Sequence, residues 1–206
     1  GVLRFAFVAI GMLIVFVVYL LTKQSKIWEL GTREVVYMAI GAALYAVLSF
    51  LFNGTVFAVP SVSQVALRPA VAIPMFFGYA FGPSVGFFTG AVGNMFGDAL
   101  TGFGLSPQWS IGNGLIGMVA GMAKLFKDQQ KGINIVLWIS LALALIVTAI
   151  FFLNRTIPNM TFFDPENNIF GDATISTFAG LSAIVGFLLV LLVRYLFRNN
   201  IDVAAA

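Results

Sequence analysis

The chain has no cysteine and no histidine among its 206 residues, and charged side chains make up only 9% of it. Without thiols there is no disulfide framework and no thiolate nucleophile, and the redox compartment leaves no trace in the sequence. Without imidazole the commonest transition-metal ligand and the usual proton relay are both missing. A soluble domain carries roughly 25% charged residues. Here 60% of residues are hydrophobic and the mean hydropathy is +1.01, which describes an all-α, polytopic membrane protein. With about 20 apolar residues needed per crossing, this length accommodates roughly six to eight helices and no separate soluble domain.

Apolar spans fall at 3–22, 34–52, 68–81, 84–101, 110–126, 133–153 and 174–197, separated by charges or by Pro and Gly clusters. Seven helices follow. The third and fourth are short and meet at Phe81-Gly82-Pro83, where Gly permits unusual dihedrals and Pro ends the preceding helix, so a tight hairpin is expected. The first span has no basic region before it and no small-residue cleavage site after it, and reads as a retained helix rather than a signal peptide. The expected division is therefore 1–32 as an additional N-terminal transmembrane helix with its cytoplasmic linker, and 33–206 as a six-helix core.

Lys and Arg in short loops set orientation. Lys23, Lys26, Arg33, Lys124, Lys127, Lys131, Arg194 and Arg198 fall on one side, and Arg4, Arg68 and Arg155 on the other. That bias puts both ends of the core in the cytoplasm and Gly1 outside. Segments 53–67, 102–109 and 154–173 then face out, and the last is longer than a connector requires. It reads as a lid or as a solvated loop, with Phe162, Phe163, Asp164 and Glu166 as the side chains that a lid would use.

Three constellations carry the available chemistry. On the second span Ala39 and Ala43, then Ala42 and Ala46, repeat at four-residue spacing, which lets another helix approach closely, whether from a partner or from the same chain. On the fourth, Gly86, Gly90, Gly93 and Gly97 share one face, a packing surface that fixes the helix rotation and leaves Asn94 and Asp98 on the adjacent stripe. The third is a set of polar groups at matching depth. Gln64 and Arg68 open the third span, Asn94 and Asp98 lie in the outer half of the fourth, and Trp109, Ser110 and Asn113 open the fifth. A charge at mid-membrane costs about 2.5–3.5 kcal/mol on insertion scales, so Arg68 and Asp98 either pair with each other or reach water. The second alternative gives an outward-facing pocket for a solute, lined by these groups and by Trp109, Phe162 and Phe163.

The run Phe77-Gly78-Tyr79-Ala80-Phe81-Gly82-Pro83, followed by Gly86-Phe87-Phe88-Thr89-Gly90 and Gly93-Asn94-Met95-Phe96-Gly97-Asp98, resembles the substrate-binding S component of energy-coupling factor (ECF) vitamin importers. The Ala-x-x-x-Ala spacing is a second point of likeness, and in that family it forms the face that meets the coupling transmembrane subunit. The resemblance covers about Arg33 to Arg198 and implies a six-helix core with cytoplasmic ends. It further implies capture of a water-soluble vitamin or related micronutrient, delivered inward together with the coupling subunit and two ATPases, with no cofactor and no catalysis by the chain itself. The first span, 3–22, departs from the six-helix pattern. The absence of His speaks against the nickel and cobalt branches of the family, which use an N-terminal His-bearing motif.

On this reading the solute-binding residues are Gln64, Arg68, Asn94, Asp98, Trp109, Asn113, Phe163 and Asp164, and the partner-binding residues are Ala39, Ala42, Ala43 and Ala46. The alternative is a stand-alone secondary transporter or channel, which would place its solute at mid-membrane between inverted repeats. The chain shows no convincing internal repeat. It also has neither a phosphate-binding Gly-x-x-x-x-Gly-Lys run nor a basic face suited to nucleic acid. An intramembrane enzyme fits least, since no carboxylate pair, Ser/Lys set or metal cluster shares one depth.

Overall fold

The computed structural model describes residues 2–52, 61–62, 65–66, 68–102, 104–153 and 177–199. Among the described residues there are seven α-helices, and the chain is an all-α polytopic membrane protein. They are α1 (Val2–Thr22), α2 (Thr32–Phe50), α3 (Ala72–Phe81), α4 (Pro83–Thr101), α5 (Pro107–Gly121), α6 (Gln129–Leu153) and α7 (Thr177–Leu196). A two-residue antiparallel pairing, Ser61–Val62 with Val65–Ala66, lies between α2 and α3. Among the described residues three segments are long and apolar enough to cross a membrane by themselves: Arg4–Thr22, Thr32–Phe50 and Gln129–Ile150.

Local chemistry sets the helix ends. At the start of α2 the Glu34 carboxylate accepts a hydrogen bond from the Gly31 amide at 2.8 Å, satisfying a donor that the helix leaves free. α4 and α5 both begin with proline at the first helical position, Pro83 and Pro107, where the missing N–H costs nothing. Between α3 and α4 the whole connection is Gly82, at φ 115°, the hairpin expected from Phe81-Gly82-Pro83. α4 stops at Gly102 in the left-handed conformation, φ 74°.

The structure shifts some boundaries. The third span opens with a 3-10 turn, Pro69–Val71, before α3 proper. The fifth begins three residues earlier than its hydropathy suggests, and its last turn tightens to a 3-10 helix, Met122–Leu125. Lys124 there donates from Nζ to the Ala80 carbonyl at 2.7 Å, so a basic side chain meets the unsatisfied carbonyl end of α3. α6 likewise begins at Gln129, because polar Gln129, Gln130 and Lys131 suit a first helical turn as well as a loop.

The described helices form two compact units, one holding α1 to α5 and the other α6 and α7. In the first, α4 lies between α2 and α5, α3 packs on α4 and α5, and α1 packs on α5. Its core includes Ala42, Tyr45, Ala46, Phe77, Val85, Ile111 and Met118. In the second, α6 pairs with α7, and Arg194 donates from Nη2 to Asn134 Oδ1 at 2.5 Å. The outward faces of α1, α6 and α7 are lined with exposed Phe, Leu, Ile and Val, the surface expected of helices whose solvent is lipid.

A buried polar cluster where α4 meets α5

The glycine stripe of α4 decides how closely its neighbours approach. A β-carbon on Gly86 or Gly90 would meet the Gly117 or Asn113 carbonyl of α5. One on Gly93 would lie 2.9 Å from the Ala42 carbonyl oxygen and from Tyr45 Cδ1 of α2, and one on Gly97 would lie 3.1 Å from Ser49 Cβ. The single packing face read from the sequence therefore serves two neighbours, α5 along its first half and α2 along its second. With α4 held at backbone contact on both, its rotation is fixed, and the adjacent stripe of Asn94 and Asp98 is carried toward α5.

There the side chains form a closed network. Asn113 donates from Nδ2 to Asn94 Oδ1 at 2.8 Å. Asn94 donates from Nδ2 to Asp98 Oδ2 at 3.0 Å and to Ser110 Oγ at 3.2 Å. The Ser110 hydroxyl donates to the Ser106 carbonyl at 3.3 Å. Asn94, Ser110 and Asn113 are each less than a tenth exposed, whereas Asp98 is half-buried. A buried amide in an apolar helix pair is expensive unless paired, and here each finds partners. Asn94, Asp98 and Asn113, named as candidates from their spacing, are thus brought together, with Ser110 as the fourth member.

Arg68 and Trp109 form a second, exposed pair beside the start of α5. The Arg68 guanidinium lies 5.7 Å from the centre of the Trp109 ring, within cation–π range. Among the described residues Arg68 and Asp98 form no ion pair, so the tie between two helices that the sequence allowed is not made. Gln64, Phe162, Phe163, Asp164 and Glu166 lie outside the described residues. No group of three or more His, Cys, Asp or Glu that holds a metal occurs among the described residues.

The alanine face of α2 divides in two. Ala42 and Ala46 are buried against α4, while Ala39 and Ala43 are exposed. Two buried residues had not been singled out. Tyr45, only 2% exposed, packs across Gly93, and Thr89 is fully buried beside Gly41 with its hydroxyl unpartnered. The spacing of Gly41, Tyr45 and Ser49 along α2 is the signal that would have marked this face.

Residues 29–196 match the family described as ECF-type riboflavin transporter, S component. A UPF0397 protein of Vibrio atlanticus (strain LGP32) is 31% identical over 167 residues, covering 77% of this chain and 89% of the relative. One from Aliivibrio salmonicida (strain LFI1238) is 32% identical over 102 residues, half of this chain and 54% of that protein. One from Streptococcus gordonii (strain Challis) is 28% identical over 170 residues, 77% of this chain and 86% of that protein. No solved structure matches the chain.

Proposed function

We propose, because the chain belongs to the ECF-type riboflavin transporter S component family, that it captures a water-soluble vitamin with a flat heteroaromatic ring and presents it for inward transport. As an S component it is the substrate-binding, membrane-embedded part of an ECF transporter, and its task is transport rather than catalysis. Riboflavin, the solute in the family's description, is the first candidate. The observation that carries this reading is the polar cluster of Asn94, Asp98, Ser110 and Asn113 between α4 and α5, together with the Arg68–Trp109 pair, whose Trp109 adjoins Ser110 in sequence.

The division of labour follows from the chemistry. Trp109 is more than half exposed and offers a ring face for stacking. Arg68 offers fixed donors to a carbonyl or an anionic group. Asp98 accepts from hydroxyl or ring N–H groups, and Asn113 both donates and accepts. We place this pocket toward the outer side of the cytoplasmic membrane of a bacterium or archaeon, with both ends of the core inside. Delivery requires a coupling transmembrane subunit and two ATPases. Support for that docking comes from Ala39 and Ala43, small and exposed on α2, which leave room for a partner helix at close range.

Titration of the purified full chain in lipid nanodiscs with riboflavin, followed by flavin fluorescence, tests the reading. Saturable quenching at one flavin per chain is expected. Absence of quenching overturns riboflavin as the solute, and native mass spectrometry of the same sample then identifies any other co-purified ring compound.

A further inference from the structure

Three of the four hydrogen-bonding positions on Asn94 are engaged, both amide hydrogens among them. Its amide nitrogen has two hydrogens, and the Asp98 carboxylate and the Ser110 hydroxyl oxygen take them. Its carbonyl oxygen accepts from Asn113. The amide nitrogen cannot be turned away from Asp98 without loss, because a carboxylate only accepts; the Ser110 hydroxyl, which can donate or accept, takes the second hydrogen while its own points at the Ser106 carbonyl. The Asp98 carboxylate therefore sets the orientation of the Asn94 amide, and Ser110 accommodates it: nitrogen toward Asp98 and Ser110, oxygen toward Asn113. With only 5% of its surface exposed, Asn94 has little left to offer a solute.

The orientation passes one step further. Because Asn94 presents an oxygen to Asn113, the Asn113 amide must turn its nitrogen inward, and its carbonyl is engaged by none of these bonds. An amide free to flip would offer a solute donor and acceptor in either order. An amide held by its nitrogen offers its carbonyl in one fixed sense, at no reorganisation cost when the solute arrives.

We propose that Asn94 is a positioning residue that does not touch the solute: anchored by Asp98 and Ser110, it holds the Asn113 amide in a single orientation and so determines which hydrogen-bonding pattern the site accepts. This rests on the solute-capture reading for its consequence, but not for its geometry.

Two measurements on the full chain in nanodiscs separate the parts. The first needs no solute. With asparagine side chains nitrogen-labelled, hydrogen exchange of the Asn113 amide is followed in the wild type and in Asn94→Leu. Slow exchange that becomes fast in the variant is expected, and unchanged exchange overturns the positioning role whatever the chain transports. Should Asn94→Leu fail to fold, Asn94→Asp/Asp98→Asn replaces it. That exchange of side chains keeps an acceptor facing Asn113 and a donor–acceptor pair one helical turn apart, and is expected to leave Asn113 protected. Loss of protection there overturns the proposal equally.

The second measurement is a double-mutant cycle on riboflavin binding with Asn94→Leu and Asn113→Leu. Each single variant is expected to weaken binding by about tenfold, and the pair by no more than either alone, because both act through the same amide. Losses that multiply mean that Asn94 contacts the solute itself, which overturns the proposal. If the wild type binds no flavin, the solute assignment falls while the exchange measurement still decides the positioning role.

Discussion

Gly86 of α4 and Gly117 of α5 interlock reciprocally: a β-carbon on Gly86 would meet the Gly117 carbonyl, and one on Gly117 would meet the Gly86 carbonyl. The obstacle in each case is backbone, which cannot rotate away as a side chain can. Gly117 is also approached by Gly78 of α3, whose own β-carbon would meet the Gly117 carbonyl, so three helices meet at that residue. The separation set at this point allows Asn94 and Asn113 to come within 2.8 Å farther along the same pair.

The first prediction follows directly. Gly117→Ala forces α4 and α5 apart and is expected to destabilise the fold by about 1–3 kcal/mol, the usual cost of overpacking. Gly112→Ala, where a β-carbon meets nothing within 4 Å, is expected to be neutral. Thermal unfolding of the two variants in detergent checks the contrast, and equal midpoints would refute it.

A second prediction uses the divided alanine face. Ala43→Trp, at an exposed site, is expected to leave the chain folded and able to bind solute while abolishing co-purification with the coupling subunit. Ala42→Trp, at a site 3% exposed against α4, is expected to disrupt the fold itself. Pull-down with the coupling subunit, alongside size-exclusion profiles, distinguishes the two. Full complex formation by Ala43→Trp would remove α2 from the docking surface.

The hairpin between α3 and α4 gives a third. Gly82 holds φ 115°, and a β-carbon there would in addition lie 3.0 Å from the Ile27 carbonyl oxygen. Gly82→Ala is expected to cost about 1–3 kcal/mol from backbone strain. A thermal midpoint equal to that of the wild type would show that the turn relaxes freely.

Trp109 supplies the fourth. If its ring stacks on the solute, Trp109→Ala weakens riboflavin binding by about 1–3 kcal/mol, the scale of a lost aromatic contact, with little change in stability because the side chain is 58% exposed. Wild-type affinity in the variant, read by the same fluorescence titration, would place the ring outside the pocket.

The class, the order of the helices, the Gly82 hairpin and the family are legible in the primary structure alone. Each of these depends on local quantities: apolar length against membrane thickness, proline and glycine chemistry at helix ends, and a motif readable in a single stretch. The primary structure also singles out Asn94, Asp98 and Asn113, since the four-residue spacing puts Asn94 and Asp98 on one side of a helix. What those groups do there depends on how the helices pack. The direction of the Asn113-to-Asn94 bond, the recruitment of Ser110 and the failure of Arg68 to pair with Asp98 depend on how α4 is rotated between two neighbours. That rotation is fixed by backbone contacts at Gly86, Gly90, Gly93 and Gly97. A run of glycines announces that something will come close, but not which helix, because a residue without a side chain carries no information about its partner. The same holds for α2: identical alanine spacings produced one buried pair and one exposed pair, and the difference lies in the position of α4, which no property of α2 specifies.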